Sequence, residues 1–157
     1  LYLVVGSGSL QAQLQALARS LGVADRVRFC GEVPEEALPG YYAACDVFVM
    51  LNRITRGDET VEGFGVSFLE AAASAKPAVC GCTGGSREAV VDGKTGLSVD
   101  PEDTAAVASA IVSLLRDAEK RAVLGRNARA RVEAEFTWAS RAHTLQQWLA
   151  ALAQRKG

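Results

Sequence analysis

The side chains with the clearest chemical potential lie between Glu62 and Glu70, two carboxylates with seven residues between them. Gly63 and Gly65 stand in this interval, where the lack of a Cβ lets a ligand approach the backbone closely. An apolar helical pattern begins at Val66, so unpaired N–H groups and the positive end of a helix dipole would face that ligand. Such amides bind phosphate groups, and carboxylates accept hydrogen bonds from sugar hydroxyls. The spacing predicts a sugar-nucleotide site.

The same stretch also fits a purely structural interpretation. Val66 to Ala75 has the composition of a buried amphipathic helix, and an acidic residue just before a helix is common because it interacts favourably with the helix dipole. Taken alone, the residues support the two interpretations equally.

Other glycine-containing turns carry different signals. Gly6-Ser7-Gly8 follows a predicted strand, but Gln11 stands where a dinucleotide fingerprint has its third glycine, which favours a simple turn. Gly93-Lys94-Thr95 lies in a predicted turn and does not form the phosphate-binding loop of an NTPase. Gly84-Gly85 joins a strand to a helix at the sheet edge where ligands of parallel α/β proteins gather, and we interpret it as part of the site.

The sequence contains neither a hydrolase triad pattern nor a metal-binding pattern. Ser67 and Ser86 have no histidine at triad spacing. Cys80 and Cys82 would lie on one face of a strand, but His143 is the only histidine and is distant in sequence, so we interpret it as a packing or surface residue. No Asp-x-Asp triplet is present to hold Mg²⁺. We expect no metal and no cofactor apart from the substrate.

Composition limits the class of protein. With 157 residues, 49% of them apolar, and a formal net charge of −1, we expect one soluble domain. The near balance of 17 basic and 18 acidic residues argues against a nucleic-acid-binding protein. No apolar run reaches membrane-spanning length. The cysteines lie in or beside apolar runs, which indicates reduced thiols in a cytosolic setting: Cys30, Cys45, Cys80 and Cys82.

Short apolar runs alternate with helical patterns, which is the order of a parallel α/β fold. The predicted strands are Leu1 to Val5, Val27 to Phe29, Val47 to Leu51, Ala78 to Cys82 and Gly96 to Val99. The predicted helical segments are Ser9 to Leu21, a short turn and helix after Pro34, Val66 to Ala75, a helix with Pro101 in its first turn, and later helices interrupted near Gly125 and at Phe136-Thr137-Trp138. The polar segment from Asn52 to Glu62 is expected to be a mobile loop.

Several blocks of sequence, taken in order along nearly the whole chain, match one pattern. They are Val27-x-Phe29-x-Gly31-x-Val33, Tyr41 to Val49, Glu62-Gly63-Phe64-Gly65 to Glu70-Ala71, Lys76-Pro77, Gly84-Gly85-x-x-Glu88, Asp92-Gly93-x-x-Gly96-Leu97 and Phe136-x-Trp138. The spacing of the two glutamates among these blocks is more specific than any single block. With this order of motifs, the chain resembles the retaining family 4 glycosyltransferases.

The resemblance implies two facing Rossmann-like lobes, the GT-B fold, with residues 1–157 as the carboxy-terminal, donor-binding lobe. It implies transfer of a hexose from a nucleotide-diphosphate sugar to a hydroxyl of a lipid, a glycan or a small metabolite. The setting would be the cytoplasm, with peripheral attachment to the inner face of the membrane if the acceptor is a lipid. Residues from Asn52 to Gly65 look most similar to GDP-mannose-dependent phosphatidylinositol mannosyltransferases, so we expect a mannosyl donor, with a UDP-sugar as the alternative.

The resemblance also implies roles for individual residues. Glu62 would be the catalytic residue and contact the donor sugar hydroxyls, and Glu70 would hold the ribose. The other contacts would come from Gly63 and Phe64 to the sugar, Gly65 and Val66 to the diphosphate, and Gly31, Glu32 and Val33 to the nucleobase.

The chain departs from the family pattern in four respects. It begins after the strand and loop that carry an Arg and a Lys for the diphosphate, and it does not include the amino-terminal lobe that binds the acceptor. We therefore expect a fragment that binds donor weakly and transfers nothing without that lobe. Leu51 replaces a frequent Pro and Ala75 a frequent Gly, changes that can alter the local backbone without removing a donor contact.

Three other functions are kept as alternatives. A sugar-nucleotide epimerase or glycan phosphorylase on the same architecture would need a catalytic histidine or a cofactor lysine that the sequence does not place. A non-catalytic nucleotide- or carbohydrate-binding module would lack a second lobe. A dinucleotide-dependent oxidoreductase would bind NAD.

Overall fold

The computed structural model describes residues 1–52, 64–82 and 84–154. The candidate residues Glu62 and Gly63 lie outside these ranges, as does the expected mobile loop beyond Asn52. The strands of the described ranges are β1 (Tyr2–Val5), β2 (Val27–Gly31), β3 (Phe48–Met50), β4 (Ala78–Gly81) and β5 (Gly96–Val99). The α-helices are α1 (Gln11–Ser20), α2 (Leu38–Ala44), α3 (Val66–Ala73), α4 (Ser86–Ala89), α5 (Thr104–Arg116), α6 (Ala118–Glu135) and α7 (Trp138–Gln154). The predicted α/β class is confirmed.

The chain forms two compact units, Leu1–Gly40 and Tyr41–Gly157. In the first unit, β1 and β2 pair in parallel, with Tyr2 opposite Val27. A 3-10 turn at Glu35–Ala37 then leads into α2, which confirms the predicted turn followed by a helix. Helix α1 buries only Ala18 among its own residues, and its leucines are exposed. The assignment of residues 1–157 to one domain stays a prediction.

The second unit is built around β4, which pairs in parallel with β3 on one side and β5 on the other. All of its residues are buried. Because successive side chains of a strand point to opposite faces, Ala78 and Cys80 pack in a cluster with Phe68 of α3, while Val79 packs with Leu114 of α5 on the other face. This two-sided burial explains why the strand reads as a continuous apolar run.

Helix α3 begins at Val66, as predicted, but ends at Ala73 rather than at Ala75. Ala75 has φ +55°, the left-handed conformation that costs an L-residue with a side chain roughly 1–2 kcal/mol. Its N–H donates to the Ala72 carbonyl and that of Lys76 donates to the Ala71 carbonyl, which is the Schellman pattern of helix ends. This geometry favours glycine, which explains why a Gly is frequent in the family at the position of Ala75.

Two predictions about the later helices are wrong. Gly125 does not interrupt a helix; it lies buried inside α6, where a Cβ would collide with the carbonyl of Ala75. The break falls instead at Asp117, whose side chain accepts a hydrogen bond from the Lys120 N–H and caps α6. Pro101 lies before α5 rather than in its first turn, since Asp103 is the N-cap residue.

Candidate functional site

The site predicted around Glu62 and Glu70 is described from Phe64 onward. Gly65 is the N-cap residue of α3 and has φ +78°, and a Cβ there would lie 2.6 Å from the Phe68 ring. Glycine is therefore required both by the backbone and by the neighbouring side chain. Since glycine has no side chain to accept from the first-turn amides, α3 begins without the usual N-cap acceptor. A diphosphate contact at Gly65 and Val66 stays a prediction.

Val66 and Glu70 lie one turn apart on α3. The Val66 side chain is 61% exposed and Glu70 is also exposed, as expected for residues four apart on one helix face. They are separated by about 6 Å along the helix axis, less than the length of a nucleoside diphosphate. The structure thus places the candidate diphosphate and ribose contacts on one face of one helix.

The carboxylate of Glu70 is held by a tyrosine that sequence reasoning did not assign to the site. The Tyr42 hydroxyl donates a hydrogen bond of 2.8 Å to Glu70 Oε2. Burial of the phenol, followed by its hydrogen bond to Glu70, raises the pKa of Tyr42 to about 12. The phenol therefore remains a hydrogen-bond donor across the physiological range of pH.

An aromatic row fixes the Tyr42 ring. Its centroid lies 5.7 Å from that of Phe48 in an edge-to-face arrangement, and Phe48 is in turn 5.5 Å edge-to-face from Phe68. Phe68 is 1% exposed and belongs to the core beside β4. Pairs of this geometry each contribute about 0.5–1.5 kcal/mol beyond area burial. The signal in the sequence was the block from Tyr41 to Val49, which we matched as a family motif without assigning its second tyrosine a role at the site.

An open groove of about 340 Å³ lies beside Phe64 and Val66. The Phe64 and Phe136 rings are 5.7 Å apart at a tilt of 49°. Trp138 also lines the groove and is 92% exposed, and Arg141 lies 4.6 Å from the centre of the Phe136 ring. Glu88 of α4 also lines the groove. The candidate sugar-contacting residue Phe64 is thus at the wall of a cavity that offers aromatic faces and both signs of charge.

Helix α4 follows Gly84-Gly85, and hydrogen bonds of the Ser86 and Arg131 side chains hold it in place. The Ser86 hydroxyl donates to the Gly81 carbonyl over 2.8 Å. The guanidinium of Arg131 in α6 donates to the carbonyls of Ala89 and Glu88 over 3.0 and 2.8 Å. A ligand role for Gly84-Gly85 stays a prediction.

The candidate nucleobase residues belong to the first unit. Gly31 has φ +68°, and its carbonyl accepts from the Gly6 N–H over 2.8 Å. Glu32 is exposed and accepts a hydrogen bond of 2.6 Å from the Ser7 hydroxyl, and Val33 is half-buried. The glycine turn after β1 therefore supports the nucleobase segment, in agreement with its interpretation as a turn. Binding of a nucleobase stays a prediction.

The remaining candidates show ordinary local contacts. His143 is exposed on α7 and is hydrogen-bonded to Gln147 over 2.8 Å, as expected for a surface histidine. All four cysteines are free thiols. Within the described ranges, no group of three or more metal-ligating side chains is assembled. None of the described helices has the length and apolar character to cross a membrane.

Comparison with known proteins decides the family. The sequence model of the family described as "Glycosyl transferases group 1" matches residues 1–131. The chain belongs to the group 1 glycosyltransferases. It is 39% identical over 146 residues to the GDP-mannose-dependent alpha-(1-6)-phosphatidylinositol monomannoside mannosyltransferase of Mycolicibacterium smegmatis. That alignment covers 93% of this chain and 38% of the mannosyltransferase. A D-inositol 3-phosphate glycosyltransferase of Corynebacterium diphtheriae is 41% identical over 130 residues, or 83% of this chain and 29% of the relative.

Solved structures confirm the fold of this chain. Sucrose-phosphate synthase from Thermosynechococcus elongatus aligns with a TM-score of 0.80 and 32% identity, covering 98% of this chain and 38% of the synthase. HepE of Anabaena, solved in complex with UDP-glucose, aligns with a TM-score of 0.79 and 26% identity over 95% of this chain and 40% of HepE. The structural neighbours are GT-B glycosyltransferases, and the chain has their α/β Rossmann-like architecture. The chain spans well under half the length of these relatives.

Proposed function

We propose that this chain is the donor-binding part of a retaining family 4 glycosyltransferase that transfers a hexose from a nucleotide-diphosphate sugar to a hydroxyl acceptor. The observation that carries the proposal is the start of α3, where Gly65 leaves the first turn without a side-chain cap and Glu70 is exposed one turn beyond Val66. A diphosphate at the positive end of α3 and a ribose at Glu70 fit this arrangement.

The same arrangement would assist the reaction itself. Negative charge grows on the diphosphate as the bond to the sugar breaks, and fixed amides and a helix dipole stabilise that charge without reorganisation. Glu62 would act at the donor sugar with support from Gly63 and Phe64, while Gly31, Glu32 and Val33 would contact the nucleobase. The proposed chemistry uses no metal and no cofactor beyond the donor.

We favour GDP-mannose as the donor. The mycolicibacterial relative is named as GDP-mannose-dependent and is 39% identical to this chain, whereas HepE, solved with UDP-glucose, is 26% identical. A UDP-sugar is the alternative. The acceptor would be a lipid, a glycan or a small metabolite, bound by an amino-terminal lobe. A lipid acceptor would place the enzyme in the cytoplasm at the inner face of the membrane.

Calorimetric titration of this chain with GDP, UDP, ADP and GDP-mannose tests the proposal. We expect GDP and GDP-mannose to bind more tightly than UDP and ADP. Replacing Glu70 by alanine should weaken the binding of GDP by about 1.5–3 kcal/mol, the usual contribution of a hydrogen bond to a charged group.

Glu133→Ala is a matched control. Glu133 is an exposed carboxylate of α6 that pairs with Arg129 and lies outside the proposed site. Its removal should leave every nucleotide affinity unchanged. Preference for UDP would redirect the donor assignment to a UDP-sugar, and equal loss of affinity in both variants would contradict the role of Glu70.

A further inference from the structure

We propose that Tyr42 is a positioning residue, which fixes the Glu70 carboxylate so that its other oxygen meets the ribose hydroxyls of the donor nucleotide. The inference rests on the proposed function, since it assumes that Glu70 binds the ribose. Nothing in the family motif separates Tyr42 from its neighbour Tyr41; the hydrogen bond to Glu70 does.

The geometry gives the two carboxylate oxygens different tasks. Tyr42 donates to Oε2, and Glu70 is exposed, so Oε1 is a second acceptor on a side chain that solvent and ligands can reach. A glutamate on a helix surface otherwise samples several rotamers, and fixing them on binding costs free energy. Because the hydrogen bond from Tyr42 already restricts the Glu70 side chain, less conformational entropy is lost when the ligand binds.

The direction of the hydrogen bond supports this arrangement. A phenol has a single proton and a carboxylate oxygen is an acceptor, so Tyr42 donates and Glu70 accepts. Burial and this hydrogen bond raise the pKa of Tyr42 to about 12, so the phenol keeps its proton at neutral pH.

The phenol is itself held at a fixed place. The edge-to-face row from Tyr42 through Phe48 to Phe68 joins the ring to the core beside β4. Replacement of Tyr42 by phenylalanine keeps this row and removes only the hydroxyl group. Tyr41→Phe is the matched control, because Tyr41 is the adjacent tyrosine of α2 and is also half-buried.

The test compares GDP with 2′,3′-dideoxy-GDP by calorimetry for the unchanged chain, Tyr42→Phe, Tyr41→Phe and Glu70→Ala. For the unchanged chain, we expect GDP to bind at least tenfold more tightly than the dideoxy analogue, as a charge-assisted hydrogen bond gives. Tyr42→Phe should reduce GDP affinity about three- to tenfold and leave the affinity for dideoxy-GDP unchanged. Tyr41→Phe should change neither.

The outcomes separate this inference from the proposed function. An equal loss of affinity for both nucleotides in Tyr42→Phe would show a merely structural role and overturn the inference, while the ribose role of Glu70 would stand if Glu70→Ala still lost the discrimination. A chain that does not distinguish the two nucleotides overturns both. The melting temperature of each variant shows whether it is folded, so that a loss of affinity is not mistaken for unfolding.

Discussion

Helices α1 and α3 begin and end in similar ways, yet they are stabilised differently. Each follows a glycine-containing turn, and each ends in a Schellman pattern with a residue of positive φ, Gly22 after α1 and Ala75 after α3. Helix α1 buries one of its residues, whereas α3 buries Phe68, Ala71 and Ala72. Glycine serves the backbone alone beside α1, but at Gly65 it also makes room for a core side chain.

Replacing the glycines before α1 and α3 by alanine should give the largest difference in the free energy of unfolding. Gly65→Ala imposes a left-handed alanine and pushes a Cβ into the Phe68 ring, so we expect a loss of about 2–4 kcal/mol in the free energy of unfolding. Gly8→Ala is the counterpart before α1, where a Cβ would meet nothing within 4 Å. Chemical denaturation should show no loss for Gly8→Ala, and comparable losses in the two variants would abolish the distinction.

Gly6→Ala should have an intermediate effect. Gly6 has φ +114°, but a Cβ there would meet nothing within 4 Å, so the cost is that of the backbone alone, about 1–3 kcal/mol. Hydrogen exchange read by mass spectrometry should localise the loss of protection to residues 1–40. Loss of protection in α3 as well would show that the two units unfold together.

The helix ends offer a smaller and opposite change. Ala75→Gly relieves the left-handed strain, while the extra freedom of the unfolded glycine offsets part of the gain, so we expect stabilisation by about 0.5–1 kcal/mol. Gly22→Ala should destabilise the end of α1 by a similar or greater amount. Melting temperatures that shift in the same direction for both substitutions would contradict the shared geometry.

Alkaline pH should destabilise the unchanged chain more than the Tyr42→Phe variant. The pKa of Tyr42 is about 12 in the folded chain and about 10 in an unfolded one. The contribution of the neutral phenol is therefore complete below pH 10 and is lost as the pH rises towards 12. Urea unfolding at pH 9 and pH 11 should show a larger loss for the unchanged chain than for Tyr42→Phe, with Tyr41→Phe behaving like the unchanged chain.

Much of the fold could be predicted because the strands are short apolar runs bounded by polar turns. Strand β5 has the predicted bounds, and the others differ by two residues or fewer at an end. Gly125 misled the prediction because a glycine that ends a helix and one that permits close packing inside a helix have the same one-letter signal. Only the position of the Ala75 carbonyl distinguishes them.

The candidate site was predictable where it is local in sequence. The glycine-led start of α3 follows from residues within one helical turn, and the structure places it as expected. The hydrogen bond from Tyr42 to Glu70 joins residues 28 apart, and no local pattern states which of two adjacent tyrosines makes it. The edge-to-face contacts of Phe48 in β3 with Tyr42 and with Phe68 connect that tyrosine to α3.

Glu88 of α4 lines the groove, and the guanidinium group of Arg131 holds α4 in place. Helix α4 has four residues, too few for a helix that is stable on its own, and the Arg131 guanidinium bridges its last two carbonyls while lying 4.9 Å from the Phe136 ring. The same group also pairs with Glu135. A lysine carries the same charge, but its ammonium group is not planar and lacks the forked arrangement of N–H donors that makes these contacts simultaneously. An Arg131→Lys substitution would therefore keep the positive charge but lose the contacts that hold α4 beside the groove.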